Sequence, residues 1–279
     1  AWFSASWFSS RADLMMSLGR HGDALELFLE AEERRARVTP DDFTNHVYGA
    51  GAAEALQRLG RTEEALAKLR EARDGMRITR APRAAQRNAT RSMITLLAEL
   101  GLDAEHDREL ANLLRPPGLP LALFRDGQEM PYSPSGVMGE VEKVRHDLFS
   151  TDTPYEGQTC FKWHVDPGET WAAIAWLEPE NDWGERPGGY DLTGAKEITF
   201  VARGAQGGET LVIGMGIVDA GAYPDTLRER VGIELTRQWQ RFTFSLEGSD
   251  LSTVRAGFVI ESKLTDDAQT VYFDDIRVE

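Results

Sequence analysis

The sequence predicts a multidomain chain, α then β: a helical-hairpin repeat array over residues 1–118, then an antiparallel β-sandwich of jelly-roll kind over residues 119–279. Three observations predict this. A Leu-Gly unit recurs at a fixed spacing in the first part, short β-rich runs alternate with Gly/Pro turns in the second, and Arg115-Pro116-Pro117-Gly118-Leu119-Pro120 lies between them. Prolines cannot continue a helix, and such stretches mark linkers. A length of 279 residues also suits two domains at about 100 to 200 residues each.

The helical elements follow from the repeat. Leu18-Gly19-Arg20, Leu59-Gly60-Arg61 and Leu100-Gly101-Leu102 are 41 residues apart, and a fixed period of this order marks stacked helical hairpins. Each glycine follows an apolar-periodic stretch, where it can take the left-handed conformation that ends a helix. Ala24, Leu25, Phe28 and Ala31 match Ala65, Leu66, Leu69 and Ala72, and their three-to-four-residue spacing puts them on one helix face. Pro40 and Pro82 fall between hairpins, where a helix restarts. Trp2, Phe3, Trp7 and Phe8 recur at helical spacing on the opening helix and are expected to pack.

With Ala12 and Ala53 in the first helices, the turn glycines, and Ala, a bulky residue and Ala five, nine and twelve positions later, residues 2–114 resemble the tetratricopeptide repeat family. The period exceeds that family's usual length of about 34. The third unit departs from the pattern at His106 and Leu113, as expected of a degenerate cap. The resemblance implies attachment to a protein partner.

The strands follow from alternation. Thr159–Val165, Trp171–Leu177, Glu197–Ala202, Thr210–Ile213, Arg241–Leu246, Ala256–Glu261 and Thr270–Val278 are β-rich, and Gly/Pro turns separate many of them. Many short strands without intervening helices predict an all-β sandwich. In Phe242-Thr243-Phe244-Ser245-Leu246 the apolar residues alternate, so one face is buried and the other solvated.

Charge and composition exclude several functions. The net charge is −15, yet residues 1–118 carry 17 basic and 18 acidic side chains (net −1) while residues 119–279 carry 14 and 28 (net −14). Nucleic acid and anionic lipid are poor partners for such a chain, because both need Lys and Arg to replace counterions. No apolar run approaches the roughly 18 residues of a membrane span, so no direct membrane insertion is expected. Cys160 is the single cysteine and rules out an intrachain disulfide. The chain opens Ala-Trp-Phe, as a processed or excised polypeptide would. There is no Gly-x-Ser-x-Gly elbow, His-Glu-x-x-His or phosphate-binding loop, and Gly214-Met215-Gly216 lacks the helix a dinucleotide site requires. The chain is therefore expected not to be an enzyme.

Several segments of residues 130–279 are similar to carbohydrate-binding modules with a galactose-binding-like jelly roll: Pro134 to Glu140, Trp171 to Trp176 with Glu178 to Gly184, Gly189 to Ala195, Gln238 to Leu246 and Val271 to Ile276. The resemblance implies recognition of a glycan or polysaccharide in an exported, periplasmic or cell-surface setting. Flat aromatic rings stack on sugar C–H faces while carboxylates and amides bind hydroxyls. The expected ligand residues are accordingly Trp171, Trp176, Glu178, Asn181, Asp182, Trp183 and Tyr190. Trp171 and Trp176 are an odd number of residues apart, so on a regular strand they face opposite ways. Trp163 and Trp239 are expected to be structural. The resemblance also implies structural calcium at Asp274 and Asp275, with Glu140, Glu142 and Asp147 as companions, because hard oxygen ligands suit that ion. The alternatives are an assembly role in which both domains are protein-interaction surfaces and sugar binding is lost, and a polysaccharide-active hydrolase.

Overall fold

The computed structural model describes residues 2–126 and 130–279, without the side chains of residues 2–4. The chain divides into two compact units, residues 1–113 and 114–279. The dividing point falls just ahead of the Pro/Gly-rich run.

Among the described residues the first unit has six helices: α1 (Trp2–Ser17), α2 (His21–Val38), α3 (Thr44–Arg58), α4 (Thr62–Ile78), α5 (Arg83–Glu99) and α6 (Asp103–Leu114). Gly19, Gly60 and Gly101 have φ of +71°, +73° and +66°. After each, the next residue donates its N–H back to a carbonyl five positions earlier: Arg20 to Met15, Arg61 to Leu56 and Leu102 to Leu97. The glycine thus stops one helix with its last carbonyls satisfied and reverses the chain into the next. Pro82 stands immediately before α5.

Packing follows the predicted face. Ala24, Phe28 and Ala31 of α2 are buried, as are Ala65, Leu66, Leu69 and Ala72 of α4. In the third hairpin, half-buried His106 takes the alanine position and buried Leu113 the later one. On α1, Trp7 is exposed and packs edge-on against Phe8, while the side chains of Trp2 and Phe3 lie outside the described residues. Glu32 meets Lys68 at 2.9 Å, and Arg73 meets Glu109 at 2.8 Å. A shift of 41 residues maps one pair onto the other with the charges reversed.

The second unit is an antiparallel sandwich of eleven strands among the described residues: β1 (Leu121–Phe124), β2 (Ser133–Gly139), β3 (Val144–Ser150), β4 (Cys160–Val165), β5 (Trp171–Leu177), β6 (Glu197–Gly204), β7 (Thr210–Met215), β8 (Glu229–Glu234), β9 (Gln240–Ser245), β10 (Ala256–Lys263) and β11 (Gln269–Val278). One sheet has the order β3-β4-β11-β6-β9, with β1 also on β11; the other has the order β2-β5-β10-β7-β8. Only the β3–β4 and β7–β8 connections stay within one sheet; every other step between consecutive strands crosses to the other sheet, which gives the jelly-roll wrapping.

The sandwich is filled by aromatic side chains. Phe124, Phe161, Trp163, Trp176, Phe200, Phe258 and Phe273 are buried in one cluster. Phe161 meets Trp176 edge-on at 5.2 Å, and Phe200 meets Phe258 at 5.3 Å, the arrangement that ring quadrupoles favour. The Trp163 N–H donates to Ser262 Oγ at 2.9 Å, so a buried polar group keeps a partner.

Candidate ligand-binding face

The site is built on the outer face of the five-stranded sheet. Along β5, Ala172, Ile174 and Trp176 enter the core, so Trp171, Ala173, Ala175 and Leu177 face outward. Strand register extends this into rungs across the sheet. One rung is Met138, Ala173, Glu261, Val212 and Gly232; the next is Gly136, Ala175, Val259, Gly214 and Arg230. Glycine and alanine keep this floor low.

A tryptophan stands near each end. Trp171 opens β5 and is 41% exposed; Trp183, in the following loop, is 38% exposed. The Trp171 ring lies beside Gly139, and the Trp183 ring lies over Gly136, where a Cβ would come within 2.9 Å of it. Gly139 pairs with Ala172 and Gly136 with Ala175, three residues apart, so the two rings are separated by about 10 Å along the strand at about 3.3 Å per residue. On the far side the Arg230 guanidinium lies across Gly214 and donates to the carbonyls of Gly216 (3.0 Å) and Glu229 (2.8 Å). The second rung is covered, with Ala175 and Val259 packed in one buried cluster with Leu177, Val218 and Ala256; the open part of the face is a strip of Met138, Glu261, Val212 and Gly232, with exposed Trp171 at one end and Trp183 beside the covered rung.

The loop carrying Trp183 is held from below by buried charge. Asp182 accepts from the Gly184 N–H at 3.1 Å and Arg186 Nε at 2.8 Å, and it pairs with the fully buried Arg255. Arg255 also donates to the Arg186 carbonyl at 2.9 Å. Burial alone would raise the Asp182 pKa, but hydrogen bonds from Arg186 and the charge of Arg255 hold it below the ordinary aspartate value. Asp225 braces the facing loop by accepting the N–H groups of Ile217, Val218, Arg255 and Ala256.

These positions divide the expected ligand residues. Trp171, Asn181 and Trp183 are exposed near the floor. Four others are corrected to structural positions. Trp176 is in the core because it shares parity with Ile174. Glu178 is buried and accepts the Gly189 N–H at 2.8 Å. Asp182 anchors its own loop, and Tyr190 is buried edge-on to Tyr132 at 5.3 Å. Trp163 is core, as expected, whereas Trp239 is half-buried and donates its ring N–H to the Thr153 carbonyl at 3.1 Å.

The expected calcium ligands do not come together. Glu140 accepts the N–H groups of Glu169 and Thr170 near the β2 end, and the Asp147 carboxylate accepts the Phe149 N–H. Glu142 lies exposed in a short 3-10 helix, Val141–Lys143. Asp274 is five strand positions away from Gln269, which pairs with Val165 at that end of β4. Its carboxylate is filled by the N–H groups of Tyr155 (3.0 Å), Glu156 (3.1 Å) and Asp275 (2.8 Å), while Asp275 pairs with Arg241 and Arg277. Among the described residues, no three His, Cys, Asp or Glu side chains converge as metal ligands. Calcium binds six to eight oxygens at about 2.3 to 2.6 Å, a cage these five residues do not form.

Sequence reasoning missed Gly136, Glu261, Arg230 and Arg255. The alternation of Val259 and Glu261 against Phe258 and Ile260 carried a signal for the floor; nothing local marked Arg255.

No protein-family model and no curated protein matches the chain. Among solved structures, the family 30 carbohydrate-binding module of the Clostridium thermocellum cellulosomal cellulase Cel9D-Cel44B is 21% identical, with 58% of this chain and 98% of that one covered and a TM-score of 0.40. A family 11 module from Clostridium thermocellum, in complex with a β-1,3-1,4-mixed-linked tetrasaccharide, is 10% identical over 58% and 96% of the two chains, at 0.39. A Podospora anserina structure with nearly identical TPR-like repeats is 15% identical over 39% of this chain and 53% of that one, at 0.35.

Proposed function

We propose that the chain is a non-catalytic glycan-binding protein whose five-stranded sheet face holds a neutral saccharide between Trp171 and Trp183. The observation that carries this reading is that Trp171 and Trp183, 41% and 38% exposed, stand on the same outer sheet face. An exposed tryptophan is costly to leave in water, and a planar ring offers a sugar its C–H face contact. Glu261, Arg230 and Asn181 at the rim supply the acceptors and donors that hydroxyls require.

A glycan array with Trp171→Ala and Trp183→Ala as controls tests the site. The expected result is binding of at least one neutral polysaccharide, weakened by about tenfold in each variant and lost in the double variant. Absence of any sugar binding, or binding indifferent to both substitutions, contradicts the reading and leaves the assembly role. Sugar release from a polysaccharide, abolished by a single carboxylate change, would establish a hydrolase instead.

The helical unit, on this reading, attaches the sandwich to a protein. Its support is the α1 surface, where Trp7 and Leu14 are exposed while their equivalents one period on, Tyr48 and Ala55, are buried; Leu18, just past the helix, is exposed as its equivalent Leu59 is. An apolar helix face of this kind fits a partner helix. Partner capture by photocrosslinking from position 14 is expected to disappear with Trp7→Ser and Leu18→Ser, and capture unchanged by them contradicts the assignment. The same reading implies an exported setting, which signal-sequence processing or fractionation of the native protein would check. No helix among the described residues is long and apolar enough to cross a membrane.

A further inference from the structure

The helices of the first unit repeat together with the neighbours that cover them. Ala31 of α2 packs with Tyr48 of α3, while Ala24 and Phe28 of α2 pack with Ala52 and Ala55. The Phe28 ring also lies against Gly51, 2.7 Å from where a Cβ would stand. One period on, Ala65 and Leu69 of α4 pack with Ala89, Met93 and Leu96 of α5. In both cases the covering helix brings a bulky residue with Ala four positions before it and three after it: Ala24-Phe28-Ala31 and Ala65-Leu69-Ala72.

The α1 helix breaks this pattern. One period before Tyr48, Ala52 and Ala55 stand Trp7, Arg11 and Leu14. Its other face is buried at Ala5, Ala12 and Met15, yet Trp7 and Leu14 are 54% and 53% exposed, and Arg11 between them is exposed as well. The Arg11 guanidinium lies 5.2 Å from the Trp7 ring centre and has no ion pair among the described residues. At the other end of the array, α6 exposes Asp103, Asp107, Arg108 and Asn112, the polar surface expected of a capping helix.

We propose that α1 is the docking face for an acidic amphipathic helix of another protein, one that repeats the small-bulky-small stripe of α2 and α4. The proposal rests on the attachment reading above and names the partner's chemistry. Such a helix over Trp7 and Leu14 continues the α2–α3 and α4–α5 interfaces by one more layer. It also takes Arg11 out of water, and a covered cation requires a carboxylate. A second copy of this chain is a poor occupant. Arg11 lies midway between Trp7 and Leu14, so two α1 faces packed antiparallel would set guanidinium against guanidinium.

The probe is a fluorescent peptide with the α2 sequence, His21–Val38, which carries the stripe together with Asp23, Glu26, Glu30, Glu32 and Glu33. A chemical staple holds it helical, because an isolated helix of this length is marginal in water. Anisotropy titration against the full chain is expected to show saturable binding at about 10 μM. Trp7→Ala combined with Leu14→Ala, or Phe28→Ala in the peptide alone, is expected to weaken it about tenfold or more. Arg11→Gln is expected to weaken it about threefold and to remove most of its salt dependence. These chain positions are exposed, and an unchanged melting temperature checks that each variant keeps its fold. Absence of peptide binding, or binding indifferent to the Trp7, Arg11 and Leu14 substitutions, overturns the proposal. Dimerisation of the chain that those substitutions abolish overturns it in favour of a second copy. Protein capture from position 14 without peptide binding removes this partner while the attachment reading stands.

Discussion

The two outer faces of the sandwich are built on the same pleat and differ in what alternation leaves outside. On the five-stranded sheet, the outward residues of β5 and β7 are largely small, and Trp171 and Trp183 are exposed beside them. On the six-stranded sheet, the outward residues of β4, β6 and β11 include Lys162, His164, Arg203 and Tyr272, which bond to and stack on one another. A sandwich core requires only that inward positions be apolar. The outward positions are therefore free to diverge, and the chemistry of each face is a function of residues the core does not constrain.

That contrast can be broken from the inside or from the outside. Trp176→Ala removes a core indole ringed by Phe124, Phe161 and Phe258, and is expected to cost about 3 to 5 kcal/mol, seen as a large fall in denaturant midpoint that affects both faces. Arg255→Met takes away one of the two guanidinium partners of buried Asp182, leaving Arg186, with an expected cost of about 2 kcal/mol. It should also loosen the Trp183 loop, so sugar affinity drops even where the protein remains folded. Gly136→Val pushes a side chain into the Trp183 ring and Leu177, whose Cδ1 would be 2.8 Å from the new Cβ; overpacking of about 1 to 3 kcal/mol is expected, with loss of binding on this face alone. Trp183→Ala removes a ring that is more than half buried over Gly136 and is expected to cost about 1 kcal/mol, well below Trp176→Ala, while removing one stacking platform. If Trp183→Ala instead destabilised the fold as much as Trp176→Ala, the distinction between faces and core would fail.

Acid separates two carboxylates within the same unit. Asp182 is held below its ordinary pKa, so the stability it gives is present above the unfolded value near 3.8 and is lost as pH falls through the lower folded value. Asp274 has the opposite sign. Burial raises it despite the N–H groups of Glu156 and Tyr155, so its contribution is full below 3.8 and declines as pH rises through the raised folded value. Asp182→Asn is accordingly expected to flatten the acid limb of a pH-dependent melting curve, and an unchanged limb would contradict the Asp182–Arg255 account.

Much of this architecture was legible because its signals are local. The 41-residue period located the three turn glycines, and the matched Ala24/Ala65 and Phe28/Leu69 faces located the buried stripe. The strand β8 was not legible: in Glu229–Glu234 only Ile233 is buried, so the edge strand carries no alternation strong enough to read. Within the site, the odd spacing of Trp171 and Trp176 showed that they face opposite ways but not which one is core, so Trp176 was expected at the ligand until the pleat placed it beside Ile174. The burial of Asp182 was hidden because its partner is 73 residues away. The calcium set failed for a related reason: residue type suggested a cluster, but the register of β4 against β11 places Glu140 and Asp274 apart.

The reversed ion pairs of the helical unit are another long-range feature. Glu32–Lys68 and Arg73–Glu109 occupy equivalent positions, so stacking α2 against α6 in place of α4 would set Glu32 against Glu109. Like charges at such a contact disfavour the wrong neighbour, which gives a nearly regular array a defined order.

The central claim is that a neutral glycan lies across the five-stranded sheet between two particular indoles. The most direct measurement is an NMR titration of the seven tryptophan indole N–H signals with the strongest neutral ligand from the array. The account predicts that Trp171 and Trp183 shift together with one affinity while Trp163 and Trp176 stay in place. Shifts confined to Trp239 on the other sheet, or to neither exposed indole of β5 and its loop, would contradict it.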